Sequence, residues 1–201
     1  MDDETLSKGE RTRRAILDAA DRLFVEQGYA ATSMRQIAEG AGLALGGIYN
    51  HFAGKEDVFT VIILERHPYR QIIPVLRTAR GSTIEEFVRN AAKTLVDELG
   101  HHPDFLNLTL IEIVEFEGRH VSLLLENILP ELLPLAQRVN DLEGNLRPIP
   151  LPLLVRAFMG MFFSYYITEI LLAQAMPLEM QKNALDQFVE IYLHGILAES
   201  F

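Results

Sequence analysis

Apolar side chains recur along most of this chain at the i, i+3, i+4, i+7 spacing of a helix that buries one face. Ile16, Ala19, Ala20, Leu23 and Phe24 form the first such stripe, with Arg14, Asp18, Asp21 and Arg22 lying off it. The pattern predicts a helix from Arg11 to Gly28, preceded by a loose polar arm over residues 1–10. Ser33 is a good N-cap, and Met34, Ile37, Ala38 and Ala41 behind it predict a short second helix closed by Gly42 in the left-handed conformation. Leu45, Ile48, Tyr49 and Phe52 repeat the spacing and predict a third, equally short helix. Two brief amphipathic helices around a glycine turn make a helix-turn-helix, whose second helix enters the major groove of DNA; an ordinary αα-hairpin has the same spacing.

Further along, Lys55-Glu56-Asp57 opens a fourth helix with Val58, Phe59, Ile62 and Ile63 inside, which Pro68 and Pro74 kink or divide. Gly81 breaks the chain, and Ser82 with Glu85 predicts a capping box for a helix over about 83–99. Helices over about 103–116 and 119–142 follow, then turn chemistry over 144–150, then two long helices over about 152–175 and 178–199. No alternating β pattern and no internal repeat appears. Phe158, Met161, Phe162, Tyr165 and Tyr166, and then Phe188, Ile191, Tyr192, Leu193 and Ile196, make the last two helices apolar over more than one face, so part of that surface belongs to an interface.

Side-chain chemistry separates the helix-turn-helix from a plain hairpin. Opposite Ile48 and Phe52 lie Ala44, Gly46, Gly47 and Asn50, small or amide groups that let another polymer approach, flanked by Tyr49, His51 and Lys55 as phosphate donors. Lys8, Arg11, Arg13 and Arg14 cluster ahead of the first helix, where they can follow a phosphate backbone. Gly28-Tyr29, Thr32-Ser33, Ile37-Ala38, Gly42-Leu43, Gly47-Ile48-Tyr49, His51-Phe52 and Lys55-Glu56 together resemble the DNA-binding domain of the TetR family of transcriptional regulators. The ending Tyr192-Leu193-His194-Gly195-Ile196-Leu197 is similar, less specifically, to the last helix of that family. The resemblance implies an all-α homodimeric repressor that binds a double-stranded DNA operator and is released by a small-molecule effector. One departure stands out: the recognition helix commonly starts with Ser and a basic residue, and here it starts with Ala44-Leu45. That shifts weight to Arg35, Tyr49, His51, Lys55 and the basic arm.

Composition narrows the classes. With 49% apolar residues over 201 positions the chain is globular, and the absence of cysteine excludes disulfides, zinc-thiolate sites and thiol catalysis. The apolar run Ala157–Thr168 is shorter than a bilayer span and the start Met1-Asp2-Asp3-Glu4 is acidic, so no membrane helix and no export are expected, and the expected location is cytoplasmic. The net charge of −10 opposes DNA binding overall, yet residues 1–70 hold nine Lys/Arg against eleven Asp/Glu while the remainder holds nine against seventeen. Glu117-Gly118-Arg119-His120 has Glu-x-x-His spacing but no second copy, so no metal is expected; His101-His102 reads as a polar turn. No catalytic motif and no cofactor fingerprint is present, and Glu112 and Glu115, the carboxylates an enzyme would use, read as one solvated helix face.

The expected architecture is therefore all-α. A three-helix helix-turn-helix DNA-binding domain with its arm occupies residues 1–54, and a helical ligand-binding and dimerisation domain occupies 55–201. The expected DNA-contacting set is Arg11, Arg14, Thr32, Ser33, Arg35, Ala44, Leu45, Gly46, Gly47, Tyr49, Asn50, His51 and Lys55. Phe105, Leu108, Glu112, Phe116, Phe162, Tyr165 and Tyr166 are the expected effector lining, favouring an aromatic, lipophilic or cationic ligand over a phosphorylated one. Gly160, Ser164, Phe188, Ile191, Tyr192 and Gly195 are the expected dimer contacts. The competing class is a helical ligand-binding or scaffold protein without DNA binding.

Overall fold

Eleven helices and no strand are found among the described residues, which in this computed structural model are 6–67, 69–100, 105–172, 175 and 177–197. In order they are α1 (Lys8–Gln27), α2 (Met34–Gly40), α3 (Leu45–Ile48), α4 (Lys55–Arg66), α5 (Tyr69–Thr78), α6 (Ile84–Gly100), α7 (Phe105–Phe116), α8 (Val121–Asp141), α9 (Leu151–Leu172), α10 (Leu178–Gln181) and α11 (Ala184–Ile196). They divide into two units, Met1–Arg70 with His102–Leu129, and Gln71–His101 with Pro130–Phe201.

In the first unit the predicted stripes close on one core. Ile16, Ala20, Phe24, Ile37, Ala38, Ile48, Val58, Phe59 and Ile62 are all buried, so α4 shares its interior with α1–α3. Phe59 lies edge-on to Phe24 and stacks on Phe116 of α7 with ring centroids 4.8 Å apart, which carries the core on to α7. Outside the core, Arg13 is bidentate to Glu65, and Arg66 reaches Asp18 at 2.6 Å and Asp21 at 3.4 Å, so ion pairs tie the C-terminal end of α4 to α1.

In the second unit α11 packs on α6 and α9. Phe158 meets Tyr192 and Tyr165 meets Phe188 edge-on, and the Tyr192 hydroxyl donates to the Leu154 carbonyl at 2.9 Å. Burial pushes that phenol up to about 12. Arg138 of α8 donates to the Arg77 and Ala79 carbonyls at the end of α5, capping that helix.

Several boundaries differ from expectation for local reasons. α1 starts at Lys8, because Ser7 and Glu10 form a capping box inside what reads as an arm. The cap of α6 is Thr83, whose hydroxyl accepts from the Glu86 amide, one residue beyond the expected Ser82 and Glu85 pair. The last predicted helix is broken at Asn183, in the left-handed conformation (φ 60°), into α10 and α11. Leu151–Glu169 is long and apolar enough to cross a membrane by length and composition, since α9 extends the apolar run at its N-terminal end.

Candidate nucleic-acid interface

The helix-turn-helix is built by three local devices. At the start of α2 the Ser33 hydroxyl accepts from the Gln36 amide while the Gln36 side chain accepts from the Ser33 amide, a complete capping box. At its end Gly42 takes φ 70°, and its amide and that of Leu43 close back on the Glu39 and Ala38 carbonyls at 3.1 and 2.8 Å. That is a Schellman turn, and a side chain with a Cβ would strain it. α3 has only four residues, its Ala44 N-cap offers no side-chain acceptor, and it is held by Ile48 (0% exposed) and Phe52 (3%) at its end.

Burial of Ile48 fixes the rotation of α3. At about 100° per residue, Gly46 and Asn50 then point directly outward, and Leu45 and Tyr49 form the adjoining flank. Gly46 and Asn50 are exposed, as are Leu45 (37%) and Tyr49 (53%). The expected four-residue stripe is therefore corrected: Ile48 and Phe52 face the core, while Leu45 and Tyr49 face solvent. A helix this short has only one buried edge. A Cβ placed on Gly46 would meet nothing within 4 Å, so another surface can come close there.

Of the other expected DNA-contacting residues, Arg11, Arg14, Arg35 and Ala44 are exposed, and Gly47 and His51 are half-buried. Ser33 is exposed, with its hydroxyl committed to Gln36. Thr32 is 3% exposed; its hydroxyl donates to the Gly28 carbonyl at 2.8 Å and accepts from the Gln27 amide, which makes it part of the interior. The Lys55 ammonium donates to the Tyr29 and Thr32 carbonyls at 2.6 and 2.8 Å and sits 4.1 Å above the Tyr29 ring. Burial lowers the affinity of that ammonium for its proton, against the opposing pull of Glu115. Lys55 therefore clamps the α1–α2 loop onto α4, a role that residue type alone does not disclose.

The expected effector residues fall in different surroundings. In the first unit, Leu108 and Phe116 pack into the core described above. Glu112 is 4% exposed, correcting its assignment to a solvated face, whereas Glu115 is exposed. One Glu112 carboxylate oxygen accepts from the His120 amide and the other lies 2.7 Å from His120 Nδ1. His120, itself 4% exposed, lies edge-on to Phe116 and Phe59. This pair spans the α7–α8 turn, where Glu117 and Gly118 take φ 54° and 78°. In the second unit, Phe162 and Tyr166 are buried and stacked at 6.0 Å, the Tyr166 hydroxyl donates to the Leu99 carbonyl, and Tyr165 is half-buried on Phe188. The Phe105 side chain and His101-His102 lie outside the described residues.

Of the expected dimer contacts, Gly160, Ser164, Ile191 and Gly195 are exposed, and Ile191 is 73% so. Phe188 and Tyr192 turn inward onto α9.

Residues 16–62 match the family model of bacterial regulatory proteins of the TetR family. YvkB of Bacillus subtilis, an uncharacterised regulator of the helix-turn-helix type, is 24% identical over 190 residues, 94% of this chain and 98% of that protein. Among solved structures, the SmeT–triclosan complex, SmeT being the repressor of a Stenotrophomonas maltophilia efflux pump, superposes with a TM-score of 0.63 at 21% identity, covering 94% of this chain and 93% of that one. FadR of Bacillus subtilis with stearoyl-CoA gives 0.63 at 21% identity, over 91% and 98%.

Proposed function

The chain belongs to the TetR family of transcriptional regulators, and from that premise we propose that it is a homodimeric repressor that binds a palindromic operator and is released by a small lipophilic effector. It is a DNA-binding regulator and not an enzyme. The observation that carries the operator reading is the rotation of α3, which buries Ile48 and turns Gly46, Asn50, Leu45 and Tyr49 outward beside the capped helix α2. Two such helices related by a dimer axis read half-sites about one helical turn apart or slightly more. Asn50 and the Ala44–Gly47 surface meet base edges, while Arg11, Arg14, Arg35, Tyr49 and His51 hold phosphates.

Dimerisation is assigned to the apolar outer faces of α9 and α11. Leu153, Met159 and Ile191 are exposed there, next to the small residues Gly160, Ser164 and Gly195 that permit close helix approach. The same exposure accounts for the membrane-like composition of α9 without a bilayer.

The effector is assigned to the second unit, around Phe162, Tyr165 and Tyr166. Their mixture of rings and phenols suits an aromatic or lipophilic molecule, and triclosan and the acyl chain of stearoyl-CoA, the ligands of SmeT and FadR, are of that kind. Leu108, Glu112 and Phe116 are left out of this lining because each has a packing or hydrogen-bonding role in the first unit. Release requires the effector to favour the dimer geometry that DNA disfavours, so operator and effector weaken each other by the same factor.

The test is selection from random double-stranded DNA by the purified full chain. An enriched inverted repeat supports the reading. No enrichment favours a helical ligand-binding protein without DNA binding, a reading that the uncapped start of α3 at Ala44 keeps in contention.

A further inference from the structure

Within the first 67 residues, among those described, the large apolar side chains left exposed are Leu45 and Tyr49. They are adjacent at i, i+4 on and just after α3, while the other large apolar groups around them are wholly or partly withdrawn into the core. A scattered exposed leucine needs no explanation, but this one occupies the flank of the helix that faces DNA. The three residues that lead α3, Ala44, Leu45 and Gly46, offer a base edge no side-chain donor or acceptor. Open space over Gly46 lets the backbone come close to a groove, which brings the neighbouring Leu45 side chain within reach of base edges.

From this we infer that Leu45 is a specificity-determining residue that reads the 5-methyl group of a thymine in each half-site by apolar contact. The inference rests on the operator reading above. In the major groove the thymine methyl is the one apolar feature that a base pair presents, and a hydrocarbon side chain recognises it without any hydrogen bond. A guanine or cytosine at that position would bury its polar edge against Leu45 unpaired, which turns the contact into discrimination as well as attraction. Asn50, facing outward beside it, is left to supply the hydrogen-bonded contact.

Uracil pairs as thymine does and lacks only this methyl, so it isolates the contact. Duplexes recovered by random selection are resynthesised with uracil at one symmetry-related pair of thymines at a time, and their affinity for the full chain is measured at fixed salt. Losing one buried methyl weakens binding about fourfold, and losing one in each half-site about fifteenfold. The loss should occur at one pair of positions and vanish in Leu45→Ala, whose thymine and uracil duplexes bind alike. Should that variant bind too weakly to titrate, Leu45→Val is read instead, and its thymine-to-uracil ratio should fall below that of the wild type. A wild type that binds every uracil duplex as tightly as thymine overturns the inference and leaves the operator reading intact. So does a uracil penalty that persists unchanged in the Leu45 variants. Failure to select any duplex removes the operator reading itself.

Discussion

Two of the three N–H bonds of the Lys55 ammonium end on the Tyr29 and Thr32 carbonyls, leaving one for a phosphate. The two roles have different signatures. As a clamp, Lys55 makes charge-assisted bonds to half-buried carbonyls, so Lys55→Met, which keeps the stem over Tyr29, should lower unfolding stability by about 2 kcal/mol. As a phosphate contact it should lower the salt dependence of DNA binding by about one ion. Denaturant titration and a salt series on the same variant separate them: unchanged stability with a reduced salt slope would remove the clamp. Residues of this kind are the ones that sequence conceals. Ile48, Phe52, Val58 and Phe59 announce burial by their type and period, and all four are buried. Thr32 and Glu112 are polar and equally buried, because hydrogen-bond partners at a distance along the chain, Leu23 and Gly28 for one and His120 for the other, satisfy them. Nothing in their local spacing predicts those partners.

Among the elements, the α7–α8 turn depends on the buried contact between Glu112 and His120, and the cost of losing it is asymmetric. Removing the imidazole strands a carboxylate in the core beside Phe59 and Phe116, so His120→Ala should cost about 3 kcal/mol. Replacing both partners, as Glu112→Leu with His120→Phe, should restore about half of that loss, because no charge is then left in the core and the residue-120 backbone amide is the group that loses its acceptor. Thermal unfolding of the two variants tests this, and equal destabilisation by both would mean that packing volume rather than the carboxylate sets the cost. Helices α2 and α4 were legible in the sequence because Ser33 and Lys55-Glu56-Asp57 mark their starts next to a clear apolar period. The start of α1 was equally marked by Ser7 and Glu10, but a polar first turn hides a helix from any reading led by apolar spacing. The break at Asn183 was hidden for a different reason: an asparagine in the left-handed conformation interrupts a helix without glycine or proline.

For the whole molecule, Leu153, Val155 and Met159 of α9 and Ile191 of α11 are exposed on the face proposed above for dimerisation. In a two-fold dimer each subunit presents Ile191 to the same patch on the other, so Ile191→Glu buries two like charges at once and should give a monomer by light scattering at micromolar concentration. A variant that keeps the dimer mass would move the interface elsewhere. Stability is also spread unevenly through the chain. The interiors of α1 and α4 are locked by Phe24, Phe59 and the ion pairs of Glu65 and Arg66 with α1, whereas α3 is four residues long, holds two glycines, begins without a cap and is secured by Ile48 with Phe52 just beyond it. Short i to i+3 bonds, from the Gly47 amide to the Ala44 carbonyl and from the Asn50 amide to the Gly47 carbonyl, lie at its two ends. Amide protons of α3 should therefore trade with solvent deuterium through small local openings, while those of Ile16 to Phe24 wait for unfolding of the unit. Adding operator duplex should slow exchange in α3 far more than in α1. DNA would then complete the ordering of the surface that reads it, and part of the binding free energy would be consumed in that ordering, a loss that exchange rates can measure directly.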